Sequence, residues 1–129
     1  MPKTNREEAP RYRRDGITSY LLASAGTTQS QNLTTTLVEM DVGGEQKPHS
    51  HLPEQTYFIL EGSGVMTVDS EAAEVTAGDC IFIPSEASHG LQNTGSSVLR
   101  YYSAASPSFT REQLERLWPL PSIAEERRT

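Results

Sequence analysis

The sequence predicts an all-β fold, an antiparallel sandwich or barrel, with one short helix near the C-terminus. Three observations carry that expectation. Eight short segments rich in β-branched and aromatic residues follow one another from Ile17 onward. Glycine, asparagine or proline punctuates them at roughly the 8–12-residue spacing of antiparallel β proteins. A single helix-capping motif opens at Thr110.

Taken in order, residues 1–15 are polar and arginine-rich with no hydrophobic period. They predict an arm that is ordered only where it packs on a neighbour. Residues 16–106 hold the predicted strands, at 17–23, 33–42, 56–60, 64–68, 72–76, 80–83, 89–92 and 98–102. Glu61-Gly62-Ser63-Gly64 predicts a hairpin turn, and Ala77-Gly78-Asp79 and Asn93-Thr94-Gly95 predict two more turns. Residues 107–121 supply the helix and its cap. Thr110-Arg111-Glu112-Gln113 fits a capping box, in which the threonine hydroxyl and glutamine side chain satisfy free N–H groups. Leu114, Leu117 and Trp118 form an apolar stripe with Trp118 as a packing anchor, and Pro119 ends the helix. Residues 122–129 predict a frayed tail.

Composition narrows the function classes. A chain of 129 residues with 35% hydrophobic and 22% charged residues is one ordinary globular domain. A formal charge of −6 argues against a nucleic-acid partner. Arg11, Arg13 and Arg14 make a basic cluster too short to be a basic tail and read as a solvated face. No apolar run approaches the ~20 residues of a membrane span, and Met1 to Glu8 contain no apolar signal region, so the expected location is cytoplasmic. Cys80, the only cysteine, lies in the apolar run Cys80-Ile81-Phe82-Ile83 and reads as a buried small hydrophobe.

The three histidines carry the chemistry. His49, Ser50 and His51 follow Gly43 after five residues, with Gln55 and Gly62 beyond. Gly78, Pro84, His89 and Asn93 follow in a second group. Imidazole is the commonest protein ligand for a borderline metal ion. His-x-His on an extended strand puts both rings on one face, roughly 6.5–7 Å apart along the backbone.

These two groups resemble the paired motifs of the cupin family, and the stretch from Pro48 to Gly62 is especially close. The resemblance implies a double-stranded β-helix, a small jelly roll, holding one divalent metal ion in its mouth. It assigns His49, His51 and His89 to the histidine ligand positions, with coordination sites left open for water or substrate. Gln55 stands where the family usually has glutamate; Glu54 is adjacent but alternates to the opposite face. Glutamine there either binds through its amide oxygen or marks a lost metal site. As a ligand it removes one negative charge, which favours Lewis-acid chemistry over oxygen activation. Glu86 replaces a common turn glycine, which disfavours a positive φ and predicts a remodelled rim. Asn93 is expected to pin a turn.

Alternation from Gln55 turns Tyr57 and Ile59 inward. Tyr57 is the candidate proton donor or substrate contact, the alternative being a packed tyrosine. Lys47 shares the parity of His49 and would meet an anionic substrate group at the mouth; a solvated loop lysine is the other reading. Glu39 is a candidate base if it faces inward, and one of Tyr101 and Tyr102 faces the interior. Three functions compete. The first is a non-redox isomerase, lyase or cyclase acting on a sugar acid, keto acid or similar small oxygenated substrate. The second is a dioxygenase using iron or nickel, and the third a small-ligand binding or sensor module without catalysis. Zinc, nickel, manganese, iron and cobalt all suit the donors. The resemblance and the exposed edges of a short jelly roll imply a homodimer.

Overall fold

The computed structural model describes the main chain of residues 1–117 and side chains through Leu114. Among the described residues ten strands and one helix follow one another: β1 (Arg11–Arg14), β2 (Ile17–Ala23), β3 (Thr34–Met40), β4 (Glu45–His49), β5 (Glu54–Glu61), β6 (Ser63–Val68), β7 (Glu71–Thr76), β8 (Cys80–Ile83), β9 (His89–Gln92), β10 (Leu99–Ser106) and α1 (Arg111–Leu117). One sheet has the order β1-β2-β3-β10-β5-β8 and the other β4-β9-β6-β7. The pairings within both sheets are antiparallel.

Period-two alternation builds the core between the sheets. Val38 and Met40 on β3, Tyr57 and Ile59 on β5, Met66 on β6, Leu91 on β9 and Tyr101 on β10 meet in one buried cluster. A second cluster of Leu21, Ala105, Phe109 and Leu114 docks the start of α1. The capping box forms as expected: Gln113 N–H donates to Thr110 Oγ1 at 3.1 Å, and Thr110 N–H donates to Gln113 Oε1 at 2.8 Å. Phe109 and Leu114 flank that cap as a hydrophobic staple. Trp118, Pro119 and the tail lie outside the described residues, as does the Leu117 side chain.

Several expectations need correction. Residues 11–14 are not part of a loose arm; β1 pairs with β2 across an Asp15-Gly16 turn, and Arg6 holds Glu39 at 2.8 Å. The arm therefore packs on its own chain. Gly62 does not close a hairpin, because β5 and β6 belong to different sheets. It makes the corner between them at φ 87°, where a Cβ would lie 2.6 Å from the Val98 carbonyl oxygen. The hairpin is β6–β7, turning at Asp69 (φ 51°). Cys80 is exposed. Ile83 fills the core and Ile81 packs against it, so Cys80 and Phe82 face outward; an all-apolar run carries no polar residue to mark the outer face. β4 was not among the predicted strands, since Glu45-Gln46-Lys47-Pro48 has little β propensity.

Candidate metal centre

Three loop-proximal positions converge at one end of the barrel. His49 ends β4, His89 opens β9 directly opposite it, and His51 lies two residues beyond β4. The ring centroids of His49 and His89 are 4.2 Å apart, those of His51 and His89 4.8 Å. One ligand atom from each histidine lies within 4.8 Å of the others. Two metal–nitrogen bonds of about 2.0–2.1 Å nearly span that distance.

The tautomers decide what these nitrogens offer. His49 Nδ1 lies 3.0 Å from the Lys47 carbonyl oxygen, His51 Nδ1 2.9 Å from that of Pro53, and His89 Nδ1 3.0 Å from that of Ala87. A carbonyl only accepts, so each Nδ1 carries a proton and each Nε2 presents a lone pair. Burial lowers the pKa of all three rings, that of His89 to about 4, and so keeps the lone pairs free at neutral pH. His89 Nε2 is buried without a hydrogen-bond partner.

Gln55, the second residue of β5, is buried, while Glu54, which opens the strand, is exposed as alternation requires. The Gln55 amide donates to Ser103 Oγ at 3.0 Å, leaving Oε1 3.0 Å from His51 Nε2. Two lone pairs thus face each other beside an orphaned third. A cation resolves that arrangement, and the donors fit a borderline divalent ion such as zinc, nickel, manganese, iron or cobalt.

Tyr57 is fully buried, stacked on Tyr101 at 4.1 Å and edge-on to His89 at 6.0 Å. Its hydroxyl donates to Gln46 Oε1 at 2.9 Å, and burial pushes its pKa to about 12. Gln46 also donates to the Tyr101 hydroxyl at 3.1 Å. Strict alternation along β4 would turn Gln46 away from His49. A register shift between Gln46 and His49 lets both turn inward while Lys47 faces solvent. Pro48 inside β4 was the available signal, since proline in a strand marks a bulge.

A cavity of about 310 Å³ opens between β1–β2 and β4, and Tyr12, Arg14, Gln46, Lys47 and His49 line it. His49 is shared between this cavity and the histidine cluster. Phe109 packs edge-on to His51 at 4.8 Å on the side where α1 docks. Glu39 does not face inward. It pairs with Arg6 and with Arg100 on the outer face, so it is not placed to act as a base. Asn93 pins turns as expected, donating to the carbonyls of Met40, Asp41 and Ser97. The rim is not remodelled at Glu86, which adopts φ 67°. Its N–H to the His51 carbonyl and the Ala87 N–H to the Pro84 carbonyl hold that turn despite the missing glycine.

The cupin domain family matches residues 36–104. The chain belongs to the cupin family. Its fold is the jelly-roll barrel of that family, and KdgF from Halomonas superposes with a TM-score of 0.72 at 20% identity, covering 85% of this chain and 96% of that one. Two curated relatives are similar in sequence. An uncharacterised protein, MJ1618, of Methanocaldococcus jannaschii is 39% identical over 77 residues, 59% of this chain and 62% of its own length. The dimethylsulfoniopropionate lyase DddW of Ruegeria pomeroyi is 40% identical over 74 residues, 57% of this chain and 48% of its own length. The matched cupin region therefore spans only about half to three-fifths of these relatives. Among the described residues no helix is long and apolar enough to cross a membrane.

Proposed function

We propose that this cupin is a metal-dependent, non-redox enzyme of the lyase or isomerase type acting on a small oxygenated carboxylate, such as a sugar acid or keto acid. The observation that carries the reading is the neutrality of the donor set: three Nε2 lone pairs and the Gln55 amide oxygen, with no carboxylate among them. A divalent ion bound there supplies Lewis acidity toward a substrate oxygen. The remaining work falls to the chain's own side chains. His49, His51 and His89 hold the site, their rings oriented by the backbone carbonyls that accept from Nδ1. Lys47, exposed on the cavity wall, attracts the substrate carboxylate. Tyr57 carries its proton at neutral pH, and in this reading Oη is the donor to the reacting group. The likeness to a lyase over the shared 74 residues supports the same reaction class.

The test is turnover by metal-loaded protein under strict anaerobiosis, using unsaturated and keto sugar acids and dimethylsulfoniopropionate. Elimination or isomerisation without oxygen is expected. Oxygen uptake coupled to product would replace this reading with a dioxygenase. Failure of divalent ions to bind, or to raise the melting temperature, would leave a binding module. We also propose that the chain works as a homodimer.

A further inference from the structure

We infer that the two copies of that dimer meet through the outer face of β10, β5 and β8; this rests on the homodimer reading. The outer face of the larger sheet carries one continuous apolar row. Tyr20 on β2 sits opposite Leu37 on β3, Leu37 opposite Tyr102 on β10, Tyr102 opposite Phe58 on β5, and Phe58 opposite Cys80 on β8. Among the described residues only one end of this row is covered. Tyr20 is 6% exposed, with the guanidinium groups of Arg6 and Arg11 stacked over its ring at 4.8 and 4.9 Å. At the other end Phe58, Leu60, Phe82 and Tyr102 are 42%, 45%, 54% and 39% exposed.

The area fits a second copy. A large aromatic side chain buries ~150–250 Å², so these four leave on the order of 350–400 Å² of apolar surface uncovered. A standard interface buries ~800 Å² per partner and a homodimer face is ~65% apolar, so the patch supplies most of what such a face requires. A contiguous patch of this size falls within the ~300–600 Å² of the largest apolar patch on a typical monomer, a patch that is often functional. Charge fits a copy of the same chain as well. The row from Leu37 to Cys80 is uncharged, and Glu61 and Arg100 at its margin already pair with each other. A two-fold axis through β5 at Phe58 therefore sets this uncharged row against its own image. The N-terminal arm is committed to its own protomer through Arg6–Glu39 and β1–β2, which leaves this half of the sheet as the open face.

Light-scattering mass and Cys80 labelling test the face separately from the dimer. Wild-type protein at high micromolar concentration is expected to show twice the chain mass, with Cys80 reacting slowly with a maleimide and faster on dilution. Phe58→Glu and Tyr102→Glu should each halve the mass and expose Cys80, with circular dichroism and metal binding unchanged. Glu74→Lys, on β7 of the other sheet, should remain dimeric. Should a glutamate variant fail to fold, Phe82→Ser and the dilution dependence of wild-type labelling give the same reading. A monomeric wild type overturns the dimer and the face together, including the case in which a different protein co-purifies through Phe58. A dimeric wild type whose mass and Cys80 reactivity ignore these substitutions overturns the face alone.

Discussion

His51 Nε2 and Gln55 Oε1 lie 3.0 Å apart, each presenting a lone pair to the other. The Pro53 carbonyl fixes the first by accepting from Nδ1–H, and Ser103 fixes the second by accepting from the amide nitrogen. An amide turned the other way would satisfy His51 but would place N–H groups where a cation must sit. The orientation observed, with Oε1 toward His51 Nε2, is the one a bound cation would favour. Substituting Gln55→Ala should weaken zinc or nickel affinity by about 10–100-fold, the scale found for groups that support metal sites. Gln55→Glu should retain binding, and titration calorimetry on the stripped protein measures both. Unchanged affinity in Gln55→Ala would remove Gln55 from the ligand set.

His89 is buried at 0% exposure with Nε2 unpartnered, so in the metal-free protein it adds little stability. His89→Leu should leave the metal-free melting temperature within about 2 °C of wild type or raise it, because an apolar group replaces an unsatisfied one. Wild-type protein should gain about 10 °C when free metal reaches ~100 Kd, equivalent to about 2.7 kcal/mol. The variant should gain nothing. Scanning calorimetry with and without the ion separates the two effects.

Glu39 belongs to the scaffold, and its titration shows how. Burial alone would raise its pKa, but hydrogen bonds from Arg6 and Arg100 outweigh burial and hold it below the usual 4.5. Because the folded value is the lower one, its contribution is fully present above the unfolded pKa and is lost as pH falls through the folded pKa. Glu39→Gln should melt about 2–4 °C below wild type at pH 7, a partly exposed ion-pair network being worth little. That gap should narrow as pH falls through the folded pKa, which lies below 4.5. Thermal melts across the acid range check it, and a gap that does not narrow toward acid pH would contradict the ion-pair account.

How much of this was legible in the sequence depends on what local pattern encodes. His49, His51 and His89 were legible because motif spacing is a local property, Gln55 was named through the cupin resemblance, and the inward turn of Tyr57 was legible because alternation runs unbroken along β5. Gln46 was hidden because alternation fails where β4 slips against β9. Glu39 was ambiguous for a related reason: Leu37-Val38-Glu39-Met40 is apolar on both faces, and the apolar outer face was itself the unread signal. Phe58, Phe82 and Cys80 belong to the same case, since a sheet with two apolar faces gives no polar residue to set parity. Arg6 and Phe109 depend on contacts across long sequence separations, which no local period reports.

Tyr57 separates chemistry from packing. Its ring fills the core against Tyr101, while its hydroxyl touches only Gln46 and Tyr101 among the described residues. Tyr57→Phe keeps the ring and removes the proton. Loss of one buried hydrogen bond should cost about 1 kcal/mol, because Gln46 Oε1 loses its donor while the Nε2 bond to Tyr101 is untouched. If Tyr57 moves the proton, kcat should fall by about 10²–10⁴-fold, with KM and metal affinity nearly unchanged. Gln46→Leu should serve as the comparison, since it strips the partner from a tyrosine that still carries its proton. A merely structural tyrosine predicts the opposite pattern, in which Tyr57→Phe lowers the melting temperature and leaves kcat alone.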